Sequence, residues 1–86
     1  MASEKEKDRL RERIGACLAV RDFDAAMDAV RELAKDEATQ AEVLGAAASI
    51  HIEAGDYEGA APLVEALLQK EPQSVYGAFL RARLLF

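Results

Sequence analysis

Few residues in this chain are equipped for covalent or metal chemistry. His51 is the only histidine and Cys17 the only cysteine. A nucleophile needs a base within hydrogen-bond reach, and a metal centre needs three or four converging ligands. No Cys/His cluster accompanies either residue, so both are expected to pack as core side chains of helices. Two acid pairs, Asp22/Asp24 and Asp56/Glu58, have the residue types for general acid–base work. Each pair opens a helix, however, where a carboxylate accepts bonds from free N–H groups and meets the positive end of the macrodipole. No Gly-rich phosphate loop, nucleophile elbow or Ser–His–acid set occurs. The residues therefore predict a protein without catalytic, metal or cofactor sites.

Composition bounds the rest. A chain of 86 residues makes one domain, and at that size folding buries only about 60–65% of the exposed surface. Ala, Leu, Glu and Arg are plentiful, and no stretch alternates apolar and polar residues as a strand would. The net charge of −5 and pI near 4.8 argue against nucleic-acid or anionic-membrane partners, whose phosphates would be repelled. The basic stretch 5–13 is interleaved with Glu6, Asp8 and Glu12 and reads as a solvated helix face. One cysteine forms no internal disulfide, and neither an apolar leader nor a run of about 20 apolar residues occurs. A cytoplasmic location is the default expectation.

The elements that must position these residues follow a 34-residue period. Asp22-Phe23-Asp24-Ala25-Ala26 falls without a gap on Asp56-Tyr57-Glu58-Gly59-Ala60. Leu10 falls on Leu44, Val30 on Val64, Leu33 on Leu67 and Glu37 on Glu71. Each copy reads as two helices. Helices are predicted over about 3–20 and 23–35 in the first copy, and over 42–54 and 57–70 in the second. A fifth starts near Ser74 and runs to residue 86. Gly55 supplies the φ > 0 stop between the second pair. Arg21 occupies the same place in the first copy, so a non-glycine residue is predicted in the left-handed region, at a cost of about 1 kcal/mol. Pro72 closes the fourth helix. Pro62 lies inside it, removes one N–H bond, and is expected to bend it or delay its first regular turn.

Period and pattern together resemble the tetratricopeptide repeat. Leu44, the small Ala48, the turn Gly55-Asp56-Tyr57, Ala60, Leu67 and Pro72 stand at that repeat's characteristic positions. The first copy keeps Leu10, Phe23, Ala26 and Leu33 but lacks the glycine and the closing proline. The resemblance implies an all-α fold: about five antiparallel helices stacked as a short right-handed solenoid. A single domain over 1–86 would hold repeat one at 7–40, repeat two at 41–74 and a half repeat at 75–86.

In such arrays the first helix of each repeat lines a concave groove for peptides or helices. The resemblance then places Asp8, Arg11, Gly15, Leu18 and Ala19 in the groove from the first helix. From the third come Glu42, Gly45, Ser49, Ile52 and Glu53, and from the fifth Tyr76, Phe79, Arg83 and Phe86. Leu18, Ile52, Tyr76 and Phe79 are the expected apolar anchors, and Gly15 and Gly45 leave room for a partner's backbone. Leu18 and Ile52 are equally suited to simple helix packing. Repeats that grip the acidic tails of the large heat-shock chaperones need a set of Lys and Asn donors. Arg11 is suited to one of those places, but Gly15, Ala46, Tyr76 and Leu80 fill the others, which argues against that partner.

The C-terminal segment is apolar where repeat arrays normally become polar. Leu80, Leu84, Leu85 and Phe86 are expected to form an exposed patch suited to self-association as a homodimer, or to the continuation of a longer array. The leading expectation is an adaptor that binds another protein or peptide. The alternative is an oligomerisation module.

Overall fold

A computed structural model describes residues 3–85. Five α-helices follow one another: α1 (Glu4–Ala19), α2 (Phe23–Leu33), α3 (Gln40–Glu53), α4 (Tyr57–Lys70) and α5 (Val75–Leu85). A 3₁₀ turn over Glu37–Thr39 precedes α3. No strand occurs among the described residues. The solenoid of antiparallel helix pairs is therefore the observed architecture. α1 packs on α2, α3 on α4, and α5 on both α3 and α4.

Local sequence explains each boundary. The Ser3 hydroxyl accepts the Glu6 N–H at 3.2 Å, and Glu4 and Glu6 lie in the first turn at the positive end of the helix dipole. The two inter-helix turns are the same structure 34 residues apart. In one, the Asp22 N–H donates to the Cys17 carbonyl and the Arg21 N–H to that of Leu18; in the other, Asp56 donates to His51 and Gly55 to Ile52. This double closure needs a left-handed residue, met by Gly55 at φ 81° and by Arg21 at φ 59°. Asp22 and Asp56 then cap the following helices by accepting the Ala25 and Gly59 N–H groups. The acid pairs are thus placed at helix starts, and the first residue of each serves as the cap.

The two repeats end differently. α4 runs unbroken through Pro62 to Lys70 and stops before Pro72. Without that proline, α2 stops at Leu33, two residues earlier than the sequence predicts. The chain turns through Asp36 and Thr39, both buried. The Thr39 hydroxyl lies 2.7 Å from the Leu33 and Asp36 carbonyl oxygens, and one Asp36 carboxylate oxygen accepts the Ala38 N–H. The other takes the Lys7 ammonium at 2.9 Å, which ties the turn back to α1. Because this turn already points the chain into α3, that helix begins at Gln40 rather than Glu42.

The core has two centres. Ile14 joins Ala26, Ala29, Val30 and Leu33 of α2 with Ala47 and Ile50 of α3. Ala48 and Ile52 join Ala60, Val64 and Leu67 of α4 with Leu80 of α5. Helix α3 is therefore covered on two sides, whereas α1 is covered on one. Val43 and Ala47 pack toward α2, and the residues 34 positions earlier are Arg9 and Arg13, both exposed. The outer side of the first repeat is charged where its copy is apolar.

Candidate protein-interaction face

Helices α1, α3 and α5 stand side by side, each touching the next, while α2 and α4 pack behind them. The residues at 8, 11, 15 and 18, at 42, 45, 49 and 53, and at 76, 79 and 83 recur every three or four positions, so each set lines one face of its helix. The three faces meet to form one surface.

Its polar residues are paired with each other. The Arg11 guanidinium donates to both Glu42 carboxylate oxygens, at 2.5 and 2.9 Å, and to Asp8 at 2.8 Å. The Glu42 bonds, with Asp8 second, raise the Arg11 pKa above the ordinary arginine range, so it is a permanent cation. The Ser49 and Tyr76 hydroxyls share a short hydrogen bond. Arg83 donates to the Glu53 carboxylate at 3.1 Å, and Arg21 donates to the Glu53 carbonyl at 3.0 Å while lying over the Phe23 ring. These contacts join α1 to α3 and α3 to α5. They hold the face in one arrangement and leave its two arginines already engaged.

Several sequence expectations are corrected here. Ile52 is 4% exposed and belongs to the second core cluster, so it is not available as a groove anchor. Its position faces α4 because Glu53, one residue on, takes the open side. Leu18 is half-buried against the first core cluster. Gly45 does not admit a partner's backbone: the Tyr76 ring covers it, and an added Cβ would stand 2.8 Å from Tyr76 Cε2. An added Cβ at Gly15 would meet nothing within 4 Å, so that position is open. Tyr76 and Phe79 are about half exposed.

The expected C-terminal patch also divides. Leu80 is fully buried and Leu84 half-buried against the second core cluster, so neither is free to self-associate in the folded chain. They lie on the side of α5 that Gly77 brings close to α4. Leu85 is 76% exposed, and Phe86 lies outside the described residues.

His51 is not a core side chain. It is half-buried at the α3–α4 turn, where its Nδ1 lies 2.8 Å from Asp56 Oδ2. The Gly59 N–H first, and His51 second, hold the Asp56 pKa below its ordinary value. Cys17 is half-buried against the first cluster. No group of three or more His, Cys, Asp or Glu side chains suited to a metal ion occurs among the described residues. No helix among them is long and apolar enough to cross a membrane.

Sequence reasoning missed the Lys7–Asp36 pair and a cleft of about 540 Å³ beside it on the outer side of α1. Arg9, Leu10 and Arg13 line the cleft, with Glu32 and Lys35 of the second helix opposite. Lys7 reads as one more charge of a solvated stretch, and only the fold brings Asp36 to it from 29 residues away.

Comparison with known proteins places this geometry. The family model described as "Tetratricopeptide repeat" matches residues 17–84. No curated protein and no solved structure matches the chain. With two copies of one helix–turn–helix unit in 34-residue register and a match over most of its length, the chain belongs to the tetratricopeptide repeat family.

Proposed function

We infer that the protein is a non-enzymatic adaptor that binds another protein or a peptide on the face shared by α1, α3 and α5. The observation that carries this reading is the cross-helix ladder Arg11–Glu42, Ser49–Tyr76 and Glu53–Arg83. It fixes three helices in a single surface before a partner arrives, so little ordering entropy is lost on binding. Gly15 and Phe79 remain accessible on that surface, and Leu18 is half-buried. Phe79 and Tyr76 are the aromatic anchors, and Gly15 is the place for close approach.

The chemistry of the partner follows from the pairing. Arg11 and Arg83 already hold carboxylates, so an acidic tail would have to displace Glu42 or Glu53. A mostly neutral segment with one or two apolar anchors meets no such competition. Self-association through α5 is the alternative reading, and the burial of Leu80 and Leu84 leaves it only Leu85 and its exposed neighbours.

The test is affinity capture from cells of the source with immobilised wild-type chain and a Gly15→Arg variant. A Cβ at position 15 meets nothing within 4 Å, and arginine favours the helix and adds a long charged side chain to the face. A partner retained by the wild type and lost by Gly15→Arg supports the reading. Equal retention by both chains contradicts it. A concentration-dependent dimer in sedimentation equilibrium would favour the alternative.

A further inference from the structure

The cleft between α1 and the C-terminal end of α2 has an unbalanced charge. One wall is neutral: Lys35 holds Glu32 at 3.0 Å, and the buried Asp36 holds Lys7 at 2.9 Å. The α1 wall is formed by Glu6, Arg9, Leu10 and Arg13. The ion pairs of α1 engage Lys7 and Arg11, and leave Arg9 and Arg13 with none among the described residues. Glu6 has none either, so the cleft carries two unpaired cations against one unpaired acid. Leu10 lies between the two arginines in sequence and, half-buried against the first core cluster, gives the cleft an apolar base. Residues 5–13 hold five cations and three acids in a chain of net charge −5. The positive potential is therefore local, and the remaining surface repels anions.

We propose that this cleft binds a short, extended acidic segment of a partner protein, with one carboxylate on Arg9 and another on Arg13. The corresponding residues of the second repeat, Val43 and Ala47, pack toward α2. Arg9 and Arg13 do not suit a helix in that way, because a covered guanidinium without a carboxylate is destabilising. Charge rather than apolar packing selects the occupant, which brings its own carboxylates to pair with the two guanidiniums. Spacing sets its form. Positions 9 and 13 are separated by about 6 Å along the helix axis. In an extended chain, side chains two residues apart lie on one side and are separated by about 6.6 Å. Acids at alternate positions therefore match the pair. The cleft of about 540 Å³ holds only a few residues, and a nucleic acid or a long acidic tract would run onto the acidic remainder of the surface. On the face of α1, α3 and α5 the arginines Arg11 and Arg83 are already engaged, whereas here they are free to accept the segment. The site is separate from that face and does not depend on its reading.

The probe is a capped synthetic peptide, Ser-Glu-Ala-Glu-Ser, titrated into the full chain and followed by the amide chemical shifts of the chain. Saturable shifts confined to residues 6–13 and 32–36 are expected. The double variant Arg9→Gln/Arg13→Gln should weaken binding about tenfold or more. Both arginines are exposed and glutamine favours the helix, so the variant keeps the fold, which circular dichroism checks. Lys70→Gln/Arg81→Gln removes the same charge from exposed positions outside the cleft and should leave the affinity within about twofold, since screening confines such effects to short range. Gly15→Arg should likewise leave it unchanged, and a peptide with glutamine in place of both glutamates should not bind. Absence of saturable shifts, or shifts centred elsewhere, overturns the assignment. Binding that Arg9→Gln/Arg13→Gln leaves intact also overturns it. Equal weakening by Lys70→Gln/Arg81→Gln does so too, because net charge and not the cleft would then hold the peptide.

Discussion

Arg21 and Gly55 do the same work at equivalent turns, and at Arg21 a side chain is carried in a backbone region that glycine prefers. The strain is partly offset, since the guanidinium reaches the Glu53 carbonyl and lies 5.1 Å from the Phe23 ring centroid. Arg21→Gly relieves the strain, whereas Arg21→Ala keeps it and loses both contacts. The glycine variant is therefore expected to be more stable than the alanine variant by about 1 kcal/mol in urea unfolding. Equal stability would remove the strain argument. The buried pair supplies a second residue-scale prediction. Lys7 is raised above 10.5 by Glu4 and Asp36, and Asp36 is held below 3.8 by Lys7 and the Ala38 N–H. A depressed carboxylate contributes stability that is complete above its unfolded value and lost as pH falls through its folded value. A raised ammonium contributes below its unfolded value and loses it as pH rises through the folded one. The contribution of the pair is thus complete between 3.8 and 10.5 and lost on either side. Asp36→Asn is expected to lower neutral stability and flatten the acid limb, as measured by urea unfolding above and below pH 3.8. An unchanged acid limb would show that other carboxylates control it, Asp56 being the next candidate.

At the scale of helices, most boundaries are legible because the turn residues are local signals. Asp22 and Asp56 mark helix starts, Gly55 marks a stop, and α4 spans the predicted range. The turn at 34–39 was missed: Asp36 and Thr39 hold it locally through the Ala38 N–H and the Leu33 carbonyl, and the Lys7 contact that ties it to α1 comes from across the fold. The faces of α5 were legible only in part. Its apolar residues are too numerous for one stripe, and the sequence does not say which side meets α4. The structure separates them: Leu80 is 0% exposed and Leu85 76% exposed. Leu80→Ala is expected to cost about 2–5 kcal/mol and Leu85→Ala less than about 0.5 kcal/mol. Thermal or urea unfolding of the two variants checks this, and comparable losses would mean that α5 is rotated from the position described. Ile52 and Glu53 were hard to separate for the same reason. They lie about 100° apart around the helix, so a shift of one residue decides between the core and the open face.

For the whole molecule, stacking produces three surfaces of different character. The outer side of α1 is charged, the far side of α5 is apolar, and the face of α1, α3 and α5 is polar, internally paired and dotted with aromatic residues. The period revealed the stack and the set of residues that share a face. It did not reveal that Arg11, Glu42, Ser49, Glu53, Tyr76 and Arg83 occupy one another, since pairing across helices depends on their separation and rotation. That pairing sharpens the central claim from any groove-binding peptide to a mostly neutral one docked on a pre-set face. The most direct measurement is the affinity of a captured partner for the wild-type chain, for Gly15→Arg and for Ala82→Arg, by isothermal titration. The account predicts that Gly15→Arg weakens binding about tenfold or more while Ala82→Arg leaves it unchanged. Full affinity with Gly15→Arg would contradict it, because the face shared by α1, α3 and α5 would then not be where that partner binds.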